Sequence, residues 1–126
     1  MGKPDTTSFN ERHQNRAQEI RDWADGVASQ RQCWIKRSSY FHAVDSAYLR
    51  FLVPERLRIL ELGCSTGELL AGLNPDFAVG VDISPKMIDL ASKAHQTFAF
   101  KIGDIENPTV LQDLHELGPY DIIILD

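Results

Sequence analysis

Three carboxylates stand out by where they fall. Glu61 lies near the end of the apolar run LRILEL, Asp82 near the end of FAVGVDI, and Asp104 closes TFAFKIGD. Acids in such places can accept hydrogen bonds from ligand hydroxyls or amines, or face a cation. The first is followed by GCSTG, residues 63–67, and then by the helix-like ELLAGL. Glycine permits positive φ and lets backbone come close to a ligand, while the first amides of a helix point at its polar groups. Each acid alone reads as an ordinary solvated charge at a strand end. Together, with one of them beside a small-residue turn, they read as a rim built to hold a polar ligand.

A rim needs elements to carry it. Short apolar runs at 57–62, 77–83, 97–104 and 120–126 read as strands, and the segments at 68–73, 86–95 and 108–117 read as helices. Ser84-Pro85 and Asn107-Pro108 are strong helix starts, a capping side chain followed by a preorganised proline. Ser65 with Glu68 fits a capping box for the helix after the turn. Strands alternating with helices imply an α/β fold, a Rossmann-like doubly wound parallel sheet. Right-handed crossovers give the order 3-2-1-4, with the ligand crevice at the carboxyl ends of the strands. Residues 1–53 form an N-terminal helical segment and residues 54–126 the sheet-bearing part. Ser8 with Glu11 opens the first helix as a capping box, and Ile20, Trp23, Ala24 and Val27 form its apolar face. A second helical region covers residues 31–53, with a break near 26–29 or 38–39, and Pro54 stops it.

The turn narrows the ligand. A dinucleotide site prefers G-x-G-x-x-G; here the third position from Gly63 is Ser65 and the sixth is Glu68, an acid where two phosphates would sit. The Lys-Ser/Thr pair of a phosphate-cradling loop is absent. An adenosine with a cationic, unphosphorylated tail fits better. Asp82 is placed to accept from both ribose hydroxyls, Asp104 from an exocyclic amine such as that of adenine, and Glu61 would lie near an ammonium or sulfonium.

On these residues the sequence resembles the class I S-adenosylmethionine-dependent methyltransferases. LELGCSTG resembles their first motif, GVDIS their ribose-binding strand end, GDIEN their adenine-binding strand end, and DISPKMIDLA their spacing around the adenine. The resemblance spans residues 38–126 and departs at Ser65, where the family usually has glycine. It implies S-adenosylmethionine as cofactor, S-adenosylhomocysteine as product, and a cofactor site of Glu61, Gly63, Cys64, Ser65, Gly67, Asp82, Ile83, Met87, Asp104, Ile105 and Tyr40. In that site Glu61 reaches the methionyl ammonium, Gly63 and Gly67 let the backbone approach, Asp82 holds the ribose, Ile83 and Met87 sandwich the adenine, and Asp104 with the Ile105 backbone reads its edge. Tyr40 resembles an aromatic placed over the methionyl end; by its residue type alone it is a core residue of an amphipathic helix.

The resemblance also implies that substrate-facing groups follow strand 4, so the chain is expected to be the amino-terminal, cofactor-binding part, with little activity of its own. The acceptor is not readable; a small-molecule or glycan-type acceptor is the expectation, and the catalytic residues are unknown. A net charge of −5 disfavours nucleic acid, and no run of about 18 apolar residues suggests a membrane span. Cys33 and Cys64 lack metal-ligand spacing and suit a reducing, cytoplasmic setting. His13, His42, His95 and His115 are dispersed, so no metal is expected; His42 is of interest for its closeness to Tyr40. Trp23 and Trp34 read as core or cap residues. An open strand 4 carrying Ile122–Leu125 is expected to drive self-association. A non-catalytic Rossmann-like binding module and a nicotinamide-dependent oxidoreductase are the alternatives.

Overall fold

The computed structural model describes the backbone of residues 6–37 and 39–125, and the side chains of residues 11–30, 44 and 47–125. Two helices, α1 (Thr6–Arg37) and α2 (Ser39–Leu52), precede an alternation of β1 (Arg58–Leu62), α3 (Glu68–Gly72), β2 (Phe77–Asp82), α4 (Pro85–Ala94), β3 (Ala99–Ile102), α5 (Pro108–Leu117) and β4 (Ile122–Leu125). All strand pairs are parallel, in the order β3-β2-β1-β4. The expected doubly wound order is therefore the one formed.

The strands are shorter than the apolar runs that mark them. β3 ends at Ile102, so Asp104 sits on the loop beyond it rather than at its last position. The last ladder bond of this pair runs from the Gly103 amide to the Asp82 carbonyl, 2.9 Å away. Ser84 and Asn107 cap as their types suggest: Ser84 Oγ accepts from the Met87 amide at 3.1 Å, and Asn107 Oδ1 from the Thr109 amide at 2.9 Å. The Ser65–Glu68 capping box is not formed. Gly67 is the N-cap of α3, with φ 85°, and the Thr66 hydroxyl donates to the Glu68 carboxylate instead.

Side chains alternate between two cores. Ile59, Cys64, Leu70, Leu73, Ala78 and Ile88 pack on the face covered by α2, α3 and α4. Leu60, Val79, Val81, Val110 and Leu114 pack on the α5 face. Glu61, one residue from Leu60, is turned to the first face and is fully buried.

The N-terminal region departs from the amphipathic reading. α1 already begins at Thr6, so Ser8 does not start it; the Ser8 side chain lies outside the described residues. Trp23 is 70% exposed and Ile20 is 46% exposed, so neither is a core residue. The face of α1 turned inward carries His13, Ala17, Arg21, Ala24 and Ala28, polar and small residues at helical spacing. α1 ends at Arg37 and α2 begins at Ser39, so the described residues show no break near 26–29; residue 38, at the other expected place, lies outside them.

Candidate functional site

The turn after β1 is assembled by backbone hydrogen bonds. The amides of Gly63 and Cys64 both donate to the Val81 carbonyl, at 2.8 and 3.0 Å. This pins the turn to the end of β2 and requires left-handed backbone at Gly63 (φ 81°), Ser65 (φ 50°) and Gly67 (φ 85°). Ser65 is thus a non-glycine residue in a conformation that ordinarily costs about 1–2 kcal/mol. Its amide, aimed by that conformation, donates to Asp82 Oδ2 at 3.0 Å. The Ser84 amide donates to Asp82 Oδ1 at 2.9 Å. Both carboxylate oxygens of Asp82 are thereby oriented, and each keeps a lone pair for a ligand.

Above this carboxylate is a cavity of about 270 Å³. Its floor and one side are Gly63, Val81, Asp82 and Ile83, and the opposite side is Gly103, Asp104, Ile105 and Glu106. The remaining wall is α1, through His13, Arg16, Ala17 and Ile20. Five of the residues expected at the site therefore meet: Gly63, Asp82, Ile83, Asp104 and Ile105. Asp104 Oδ1 accepts from the Glu106 amide at 2.9 Å, which fixes the loop.

Other expected residues lie near this cavity without lining it. Met87 is buried in the first turn of α4. Ser65 contributes its amide, and Gly67 is the helix cap packed close to His95 and Phe100. Glu61 is buried beneath the turn. The Cys64 side chain is directed away from the cleft, into the core against Gly80. Burial first, then the Asp82 and Glu61 carboxylates, push its thiol far above the ordinary range, so it is a packing group in the neutral form. The side chains of Tyr40, His42, Trp34 and Cys33 lie outside the described residues.

His13 is the site residue that motif reading misses. Its Nδ1 is 3.1 Å from Glu106 Oε2 and its Nε2 is 3.4 Å from Asp104 Oδ2. One potential ligand atom from each of the three lies within 4.8 Å of the others. The two ring nitrogens face different carboxylates, which is the arrangement of a bridge between acids. Sequence distance hides this trio, because only the docking of α1 brings residue 13 to residue 104. The inward stripe of His13, Ala17, Arg21, Ala24 and Ala28 was the available signal.

Comparison with known proteins agrees with the fold. A family model described as a methyltransferase domain matches residues 55–126, more than half of the chain, and the chain belongs to that family. A carboxy-S-adenosyl-L-methionine synthase from Campylobacter hominis is 36% identical over 78 residues, covering 59% of this chain and 32% of the relative. Magnesium protoporphyrin IX methyltransferase from Synechocystis PCC 6803, solved with bound S-adenosylmethionine, superposes with a TM-score of 0.64 at 20% identity, over 86% of this chain and 60% of that one. DesVI from Streptomyces venezuelae gives 0.61 at 19% identity, over 81% and 43%. The chain thus spans about a third of the curated relative and 60% or less of these two structures.

Proposed function

We propose that this chain is the cofactor-binding part of an S-adenosylmethionine-dependent methyltransferase, with residues 54–126 holding the cofactor and residues 1–53 an N-terminal helical segment before them. The observation that carries this reading is Asp82. Its carboxylate is aimed by two backbone amides into a cleft whose walls also hold Gly63, Ile83, Asp104 and Ile105. A pair of ribose hydroxyls is the ligand group that uses both oxygens at once. Asp104 and the Ile105 amide then meet the adenine edge, and Ile83, with Met87 beneath, supplies apolar surface for the ring. Glu61, a carboxylate buried next to the turn, favours a cationic tail over a phosphate. Glu68, in the first turn of α3, adds a second negative charge on that side. Ser65 and Gly67 shape the path of the tail, Cys64 packs the turn from below, and Tyr40 is assigned to the methionyl end.

When bound, the cofactor supplies a methyl group already activated by its sulfonium. The chain's own part is to bind and orient it. The acceptor is proposed to be a small molecule or glycan, in a cytoplasmic setting. Among the described residues no helix is long and apolar enough to cross a membrane.

Calorimetric titration tests this. S-adenosylmethionine and S-adenosylhomocysteine are expected to bind and NAD is not, and Asp82→Ala is expected to weaken binding about tenfold to a hundredfold, the loss of a charge-assisted hydrogen-bond pair. Absence of binding by the unaltered chain would favour the non-catalytic module, and tight NAD binding the oxidoreductase.

A further inference from the structure

α1 lies outside the family-matched residues 55–126, yet it supplies one wall of the cleft. Its attachments are polar. At one end His13 bridges Asp104 and Glu106. In the middle Arg21 Nε donates to the Ile83 carbonyl at 3.3 Å. Towards the other end Asp25 accepts from the Ser84 hydroxyl and, at 3.3 Å, from the Lys86 amide at the start of α4. Apolar attachment is slight: among the described residues of α1 only Ala24 and Ala28 are buried. Over its described residues, α1 meets the sheet mainly through part-exposed polar contacts, which open at lower cost than core packing.

The contact at His13 also occupies the group that a ligand needs. Asp104 Oδ2 faces the imidazole, and Oδ1 is engaged with the Glu106 amide. The cleft under α1, about 270 Å³, is bounded on this side by His13, Asp104 and Glu106. Cleft and strap therefore share one acid: a ligand that reads Asp104 through Oδ2 competes there with the imidazole of His13.

We propose that α1 is a latch over the adenosine end of the cleft, closed by the His13 bridge to Asp104 and Glu106, anchored by Asp25 at the N-terminus of α4, and released when the ligand takes Asp104 from His13. This rests on the adenosine reading of the cleft. It assigns His13 a gating role, with no contact to the reacting atoms.

The test is amide hydrogen exchange of α1, together with the association rate of S-adenosylhomocysteine, in the unaltered chain and in His13→Ala and Glu106→Gln. Both variants change part-exposed or exposed side chains, so the fold is expected to survive. Without ligand, amides around residues 11–20 are expected to exchange about threefold to fivefold faster in each variant, the range that exposed side-chain contacts support, and ligand association is expected to rise by a similar factor. Equal exchange in all three proteins overturns the latch, as does an association rate that is unchanged or slower in His13→Ala. Faster exchange in the variants with no ligand binding by any of the proteins keeps the clasp and overturns the cofactor reading.

Discussion

A methyl group added at position 80 would lie 2.7 Å from Cys64 Sγ and 2.9 Å from Phe100 Cδ1. The glycine is what lets the thiol seat the turn against β2. Gly80→Ala is therefore expected to cost about 1–3 kcal/mol, as overpacking does, and the cost is expected to be less than additive with Cys64→Ala, which removes one of the colliding atoms. Urea unfolding of the two single variants and the double one checks both statements. Ser65 calls for the opposite change. Glycine relieves its positive φ but loosens the unfolded chain, so Ser65→Gly is expected to stabilise by a few tenths to about 1 kcal/mol. Alkali has a defined effect as well. Cys64 is raised by burial and by neighbouring carboxylates, and Tyr120, whose hydroxyl donates to the Leu114 carbonyl at 2.6 Å, is raised by desolvation. Both groups are held protonated in the fold, so stability is intact below the ordinary thiol value of 9.0 and falls as pH rises beyond it, because the unfolded thiol ionises first. Thermal melts from pH 7 to 10.5 are expected to show the decline, and Cys64→Ala to reduce it.

Among the elements, α4 carries more of the site than its length suggests. Ser84 caps it, aims Asp82 through its amide and holds Asp25 of α1 through its hydroxyl. Ser84→Ala keeps the amide and loses the hydroxyl, so it is expected to cost about 1–2 kcal/mol of stability by chemical denaturation while loosening α1 more than the sheet. That cap, with its proline, was legible in the sequence because it is local chemistry: one side chain and the next three residues decide it. Asp82 and the glycine turn were legible for the same reason. The parallel order followed from alternation, since an apolar run of this kind must be covered on both faces. What was not legible depends on docking. Ile20 and Trp23 satisfy a helical apolar pattern, yet α1 turns a stripe of alanines, His13 and Arg21 inward, because the surface it meets is the polar rim of the sheet, where Ile83 O, Ser84 Oγ and Asp104 wait for partners. The Ser65–Glu68 box failed for another reason: once the turn places Ser65 and Gly67 at positive φ, the serine is aimed at Asp82 and Thr66 is the hydroxyl nearest Glu68.

The sheet has two edge strands, β3 and β4, and β4 is the more apolar of them. β4 is an edge of the sheet, and register pairs its Ile123 and Leu125 with Leu60 and Leu62 on the α5 face. Yet Ile123 is 62% and Leu125 75% exposed, while Ile122 and Ile124 on the opposite face are partly buried. α2 adds a second apolar surface, with Val44, Tyr48, Phe51 and Leu52 exposed at helical spacing. An unpaired edge strand with apolar side chains is a template for pairing with another chain, and a net charge of −5 on 126 residues is modest repulsion to set against it. The chain is therefore expected to self-associate at micromolar concentration in light scattering. Replacing both Ile123 and Leu125 by lysine places charge on the edge without touching the buried face, so it is expected to shift the population to monomer and leave circular dichroism unchanged. Association that survives in this variant and disappears in Tyr48→Lys with Phe51→Lys would move the contact from β4 to α2. A monodisperse monomer before any substitution would show that neither surface is sticky enough to pair.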